Sequence, residues 1–540
     1  MPDPDDGGIT LPPGFRALVY ADNLVVGKRV GFTQENIRGL AVAPNGDVYA
    51  KGLRGQIFAL RDTNSDGRAD VIEQFGPGDG GTDIMFHDGY LYHASSKALY
   101  RYKYIPGELV PSSSLEVIVR DLPNQSGGHD QKPFAFDESG HVIVEVGSPF
   151  NDYSQPDRQF GAKGFNPEEV AKFQETYGGF WQFDASKTNQ TAADGVRFAT
   201  GERHSVALEW QPVSKNFFMC MMGRDQLNTV DPADYDALDN AERVSEEFHL
   251  LKQGANLGWP YTYWDPIKKA RMLSPEYGGD NRKHDDNPAY DKPIIGFPGH
   301  WAPLQMCLYD SAQFPARYRG GMFLAFHGSW NRSPLPQAGY RVVFIPFDAS
   351  GMPTGQYENF AMGFAGGDET NIRNARYRPC GVAVGPDGSL FISETEKGRI
   401  WRVIYAGETN SPMARKQFLA AATPQSYPPI LADSPGGKAF AQVCAACHMP
   451  NGSGVPGMQP PLVGSAVIAG DTTQLINVLL QGPAKALPAD RPKFQNVMPP
   501  FGPVYKDEDV ASLINYLRAN FAPNAPKVTP EEVAAQRAKL

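Results

Sequence analysis

The sequence predicts an all-β six-bladed β-propeller followed by a second, small all-α domain. Two observations predict the first fold. Apolar alternation, a turn rich in Pro, Asn, Asp or Gly, and a second apolar strand recur at four places before residue 405. Between them helical periodicity is nearly absent, and no Rossmann or heptad pattern competes. A third observation predicts the second fold. Val510, Leu513, Ile514 and Leu517 fall at i, i+3, i+4 and i+7, one apolar face of a helix.

The four hairpins cover 39–49, 135–144, 207–219 and 381–392. Roughly 390 residues shared among four-stranded blades give about six blades. Long loops at 151–180, 228–250 and 260–293 blur the period. The propeller is expected over 10–405, a linker rich in Ala, Pro, Ser and Thr over 406–433, the small domain over 434–525, and a tail over 526–540.

Residues 62–73, inside the first blade, fit the twelve-residue calcium-loop template. Asp62, Asn64, Asp66, Asp70 and Glu73 supply side-chain oxygens, Arg68 stands where the template uses a carbonyl, and Gly67 is the sixth residue. The preceding residues 56–60 look like a strand, so the expectation is a calcium-clamped hairpin of structural role; the alternative is an acidic surface turn.

Four polar clusters stand at loop-to-strand junctions. Ser126-Gly127-Gly128-His129-Asp130 precedes the second hairpin, Thr200-Gly201-Glu202-Arg203-His204 the third, and Arg376-Tyr377-Arg378-Pro379 the fourth. His327-Gly328-Ser329-Trp330-Asn331-Arg332 follows an aromatic strand. A propeller could gather these junctions around one mouth, and arginines converging with a histidine suit an anionic, planar ligand.

In the small domain, Cys444-Ala445-Ala446-Cys447-His448 has the spacing of c-type haem attachment: two thiols for the vinyl groups of one porphyrin edge, then the histidine under the iron. Zinc would need a second ligand pair, which is missing after residue 448. Ser434-Pro435 reads as a helix N-cap with proline at the first helical position. Met498, in Val497-Met498-Pro499-Pro500, is the candidate sixth iron ligand. Met458 is a rival in a Gly/Pro loop, and Met449 lies too close to the proximal histidine to reach the far face.

A net charge of −10 gives no reason to expect nucleic acid. No apolar run approaches the roughly 20 residues of a membrane span. Met1-Pro2-Asp3-Pro4-Asp5-Asp6 is not a secretory signal. Because c-type haem is attached outside the bacterial cytoplasm, the expectation is a mature or trimmed chain, periplasmic or secreted. Cys220, Cys307 and Cys380 allow at most one disulfide; the alternative is buried thiols.

Residues 430–525 resemble a class I cytochrome c. Residues 10–405 are similar to the glucose/sorbosone dehydrogenase family of quinoproteins. The likeness is carried by the Ser-Gly-Gly-His turn, Gly258-Trp259-Pro260-Tyr261, Phe314-Pro315-Ala316-Arg317-Tyr318-Arg319-Gly320-Gly321, the His327–Arg332 segment and Arg376-Tyr377-Arg378-Pro379. The resemblance implies a six-bladed propeller using pyrroloquinoline quinone (PQQ) and calcium. It implies that Arg203, Arg376 and Arg378 hold the quinone, with Arg332 and His204 as additions, that the carbonyls of Arg224 and Asp225 ligate calcium, and that His129 is the general base. Where the family has an acid, this chain has Ser148, which leaves Asp130 or Asp152 to orient His129. The function expected is oxidation of a sugar or polyol-derived aldehyde. Electrons would pass to the haem and then to an external acceptor: a cytochrome, a quinone or a copper protein. The alternatives are a non-enzymatic binding propeller that carries a cytochrome and an enzyme with a different propeller cofactor, such as the haem nitrite reductases.

Overall fold

Each of the four hairpins read from the sequence is the inner pair of one propeller blade. In this computed structural model they are Ile37–Val42 with Val48–Gly52, Phe134–Phe136 with His141–Val146, Ser205–Gln211 with Asn216–Met221, and Pro379–Val384 with Leu390–Glu394. The turns demand a residue that tolerates positive φ, and Gly46 (94°) and Gly140 (83°) supply it. The other two inner pairs are Ile84–His87 with Tyr90–Ala94 and Pro303–Tyr309 with Gly321–Phe326. They escape the pattern for local reasons. The first pair is joined by only Asp88-Gly89, and the second by a long loop holding the 3₁₀ turn Ala316–Tyr318.

The structure describes residues 2–24, 36–124, 128–366, 374–407, 433–448, 452, 460–489, 498–523 and 525–540. It divides into two compact units, Met1–Phe418 and Leu419–Leu540. In the first, each inner pair continues outward into a third and fourth strand, giving six blades. The sixth blade takes its outermost strand from the N-terminus: Phe15–Ala21 pairs antiparallel with Ile400–Tyr405. That pairing closes the ring and covers what would be a free sheet edge. Aromatic side chains fill the space between the fifth and sixth blades, among them Phe314, Tyr318, Phe323, Phe360 and Trp401, all essentially inaccessible.

The strand alternation fixes where the chemistry collects. Every loop that enters an inner strand opens on the same face as every loop joining a second strand to a third. His129, Arg203 and His204, and Arg378 come from loops of the first kind; 147–178, 222–245 and 327–340 are loops of the second. The fourth blade adds a detour. Ala255–Asn256 runs parallel to Val196–Thr200, and the ribbon Thr262–Asp265 with Ala270–Leu273 then carries Glu276 to this face.

Residues 62–70 do join two strands, Ile57–Arg61 and Val71–Phe75. The calcium template is corrected at its last position. Glu73 pairs across from Ala59, three residues and so roughly 10 Å along the strand from Asp62. The loop is closed by its own hydrogen bonds. The Asp70 carboxylate accepts from Thr63 N (2.8 Å), Thr63 Oγ1 (2.9 Å) and Asn64 Nδ2 (2.9 Å), and Asp62 accepts from Gly67 N (2.8 Å). Asn64 and Asp66 accept from the amides of Asp66 and Arg68, while the Arg68 guanidinium turns to Asp3. Among the described residues no group of three or more Asp, Glu, His or Cys side chains is arranged to hold a metal.

In the second unit the N-cap forms as read: Ser434 Oγ accepts from Gly437 N at 3.0 Å, ahead of the helix Pro435–Ala439. A turn of wider π-type helix, Phe440–Cys444, leads into Ala445–His448. The long helix Asp507–Phe521 buries Val510, Leu513, Ile514 and Leu517. Gly436 lets the two helices cross closely, since a Cβ there would stand 2.1 Å from Ser512 O. Residues 526–540, expected as a tail, are part of this fold. Val528 and Val533 join its core, and Arg537 of the helix Pro530–Arg537 bonds Asp507 (2.7 Å) and Tyr505 O (2.8 Å). No helix of the described residues is long and apolar enough to cross a membrane.

Candidate functional site

His129 ends the loop that enters the third blade. Its Nδ1 lies 2.6 Å from the Ser148 carbonyl. A carbonyl only accepts, so Nδ1 carries the proton and Nε2 keeps the lone pair. Gly147 makes this approach possible, because a Cβ there would lie 2.9 Å from His129 Cβ. Neither proposed carboxylate orients the ring. Asp130 faces Lys132 (3.7 Å), and Asp152 is bound by Arg224 (3.0 Å). The main-chain carbonyl of Ser148 holds the ring instead.

The His129 ring stacks on His204, with centroids 4.6 Å apart and planes 16° from parallel. Burial, then His204 and Arg203, hold the His129 pKa well below the usual histidine value, so the ring is neutral. Behind it, His204 Nδ1 contacts Glu145 Oε1 (3.0 Å), which also accepts from Ser205 N (3.2 Å). Burial pushes the Glu145 carboxyl up to about 8, against the pull of Lys132.

Arg203, almost inaccessible, donates to Asp225 Oδ2 at 2.7 Å. Asp225 is a hub. Its other oxygen accepts from Asn331 Nδ2 (2.6 Å) and lies 3.7 Å from His300, and Arg158 approaches to 3.6 Å. Against the upward push of burial, Arg203, His300 and Arg158 hold its pKa at about 2. Arg378 is fully buried and donates to Gly328 O at 3.0 Å, with its guanidinium 5.0 Å from the Tyr340 ring.

Three expectations need correction. Arg332 is consumed by structure: it donates to the carbonyls of Pro336 (3.1 Å), Gly299 (3.0 Å) and Ala241 and to Glu242. Arg376 stays exposed beside Gly8 and the Tyr377 ring, outside the buried group. The Asp225 carbonyl accepts from Asn151 Nδ2 (3.0 Å) and Arg224 Nη2 (3.3 Å), so that oxygen is not open to calcium; it is the carboxylate that organises the mouth. The Arg224 side chain is buried between Glu276 (2.8 Å) and Asp152, which ties three loops together.

Sequence reading missed Glu145, Lys132 and His300. The signal for Glu145 was available: it is the one charge in Val142-Ile143-Val144-Glu145-Val146, and a carboxylate inside an apolar strand is seldom there without a partner.

Cys444, Cys447 and His448 share one helical stretch, and His448 Nδ1 lies 2.9 Å from Pro460 O, which leaves Nε2 as the metal-binding nitrogen. Met498 packs partly buried on this core; Met449 and Met458 lie outside the described residues. Cys220, Cys307 and Cys380 are buried free thiols.

Comparison with known proteins agrees with this division. Residues 78–406 match the TrAA12-like family model, and residues 434–520 match cytochrome c. Cytochrome c-552 of Thermus thermophilus is 36% identical over 132 residues, 20% of this chain and 88% of that protein. The pyrroloquinoline quinone-dependent pyranose dehydrogenase of Coprinopsis cinerea is 31% identical over 176 residues, 27% of this chain and 22% of that protein. The solved PQQ domain of Coprinopsis cinerea pyranose dehydrogenase, in its holo form, superposes with a TM-score of 0.56 at 18% identity, over 73% of this chain and 97% of that one. The family match spans more than half of the sequence: the chain belongs to the TrAA12-like family and carries a cytochrome c domain at its C-terminal end.

Proposed function

We propose that the chain is a periplasmic or secreted quinohaemoprotein that oxidises an aldose- or sorbosone-like sugar. The observation that carries this reading is the neutral His129, its Nδ1 committed to Ser148, beside the buried Arg203 in a chain that also bears a haem-attachment turn. Bound PQQ would supply the hydride acceptor, and haem c a carrier for single electrons. Arg203 and Arg378, with His204, are the side chains to hold the quinone's carboxylates. His129 Nε2 takes the proton of the substrate hydroxyl. Cys444 and Cys447 would anchor the porphyrin, and His448 and Met498 would bind its iron. Calcium, the third cofactor, would be held at the mouth by the Arg224 carbonyl; the hairpin carboxylates Asp62, Asp66 and Asp70 are taken up by their own loop's hydrogen bonds. An external cytochrome, quinone or copper protein receives the electrons.

The test is optical. Protein supplied with PQQ and calcium is mixed with a panel of aldoses while haem absorption is followed. Haem reduction by at least one aldose is expected. Silence across the panel would favour a propeller that binds a partner and performs no oxidation.

A further inference from the structure

We propose that His300 is a specificity-determining residue whose Nδ1 accepts a hydrogen bond from one hydroxyl group of the sugar; this rests on the sugar-oxidising reading above. His300 lies in the loop 298–302, between Ile295–Phe297 and the inner strand Pro303–Tyr309 of the fifth blade. It is therefore that blade's counterpart of His129, Arg203 and Arg378, on the same face of the ring. Its Nε2 lies 2.6 Å from Asn240 O. A carbonyl only accepts, so Nε2 carries the proton and Nδ1 keeps the lone pair. That lone pair stands 3.7 Å from Asp225 Oδ1, and the same carboxylate holds Arg203, next to the stacked rings of His204 and His129. Nδ1 makes no hydrogen bond with any described residue, yet it is not sealed from solvent as both ring nitrogens of His93 and Nε2 of His327 are. The residue keeps 6% of its surface.

The backbone is bent to aim this ring. His300 and Ala302 both adopt positive φ, 63° and 59°, although neither is glycine; histidine is one of the few side chains that take this region readily. Bonds to other loops hold the bend. Gly299 O accepts from Arg332 (3.0 Å), Ala302 N donates to Glu246 Oε1 (3.0 Å), and Ala302 O accepts from His327 N (2.9 Å). Strain over-determined in this way collects at ligand sites. Burial, against the pull of Asp225, holds the His300 pKa down at about 4, so at neutral pH the ring accepts and does not donate. A lone pair beside an ionised carboxylate repels the quinone's carboxylates. Calcium fits it poorly, because that ion takes oxygen ligands and Arg203 and Arg158 already flank Asp225. A sugar hydroxyl, a neutral donor, suits it.

The test uses the loaded protein, the aldose it oxidises best, and the monodeoxy analogues of that aldose with C1 intact. In wild type one analogue is expected to lose about tenfold in kcat/KM, the size of one hydrogen bond to a buried acceptor. His300→Phe should lower kcat/KM about tenfold for the parent sugar but less than about twofold for that analogue, which erases the discrimination. His300→Asn tolerates positive φ and returns an acceptor close to the Nδ1 position, so it should restore the discrimination. PQQ affinity, measured by fluorescence titration of the same variants, should not change. Equal losses for the parent and every analogue, discrimination that survives His300→Phe, no recovery with asparagine, or a fall in PQQ affinity that matches the fall in rate overturns the assignment. Should His300→Phe fail to fold, His300→Gly, which suits the backbone, is held to the same outcomes. If the wild type oxidises sugar and discrimination survives the substitution, the role of His300 alone falls; if the wild type oxidises no sugar, the functional reading falls with it.

Discussion

A histidine serves as a base at neutral pH only if its surroundings keep it uncharged and fix which nitrogen is basic. Around His129 both conditions are met by neighbours that are not acids. The Ser148 carbonyl sets the tautomer, while burial, His204 and Arg203 disfavour the cation. The sign follows directly. A lowered pKa extends the neutral, proton-accepting form to lower pH, so the acidic limb of kcat/KM should lie below the ordinary histidine value of 6.5. His129→Ala should slow reduction of the bound quinone by sugar at least ~100-fold. Haem reduction by a chemical reductant should be unchanged, because it bypasses the base. A near-normal sugar rate in this variant would remove His129 from the chemistry and turn attention to His204 or His327.

Two effects oppose each other where the N-terminal helix of the cytochrome domain crosses the long helix. Gly→Ala inside a helix gains about 1 kcal/mol in propensity. At Gly436 the new Cβ would stand 2.1 Å from the Ser512 carbonyl oxygen and 2.6 Å from Leu513 N. Those atoms are main chain of a packed helix and cannot step aside alone, so the helices must separate. Overpacking of this kind costs roughly 1–3 kcal/mol. Sterics should win. Gly436→Ala is expected to lower the melting temperature of this domain, followed at the haem band, by about 4–8 °C for each kcal/mol lost. An unchanged or raised melting temperature would mean that the crossing tolerates the methyl group.

At the scale of the whole chain, the proposed function divides the labour: substrate chemistry in the first unit and delivery of electrons by the second. A variant carrying Cys444→Ala and Cys447→Ala loses covalent haem. It should still oxidise sugar when a small soluble dye takes the electrons at the propeller, but should lose transfer to a protein acceptor. Equal loss with both acceptors would contradict that division.

The sequence by itself determined whatever depends on local pattern. Alternation around turns such as Pro44-Asn45-Gly46-Asp47 marked inner strands, because pleat and turn chemistry act over a few residues. The Cys444–His448 spacing marked the haem turn, because one porphyrin edge dictates it. His129, Arg203 and Arg378 were legible because each stands beside glycine or proline at a strand entrance. Tertiary structure decided what residues far apart in the chain do to one another. It gave Ser148 O rather than Asp130 or Asp152 to His129, spent Arg332 on carbonyls of other loops, left Arg376 outside, and placed Glu73 beyond the reach of Asp62. It also made the Asp225 carboxylate a hub for Arg203 of its own blade and for Arg158 and His300 from the two neighbouring blades. The physical reason is that charge pairing and burial depend on distance in space, and a closed ring of six blades brings residues 129, 203, 225, 331 and 378 to one face.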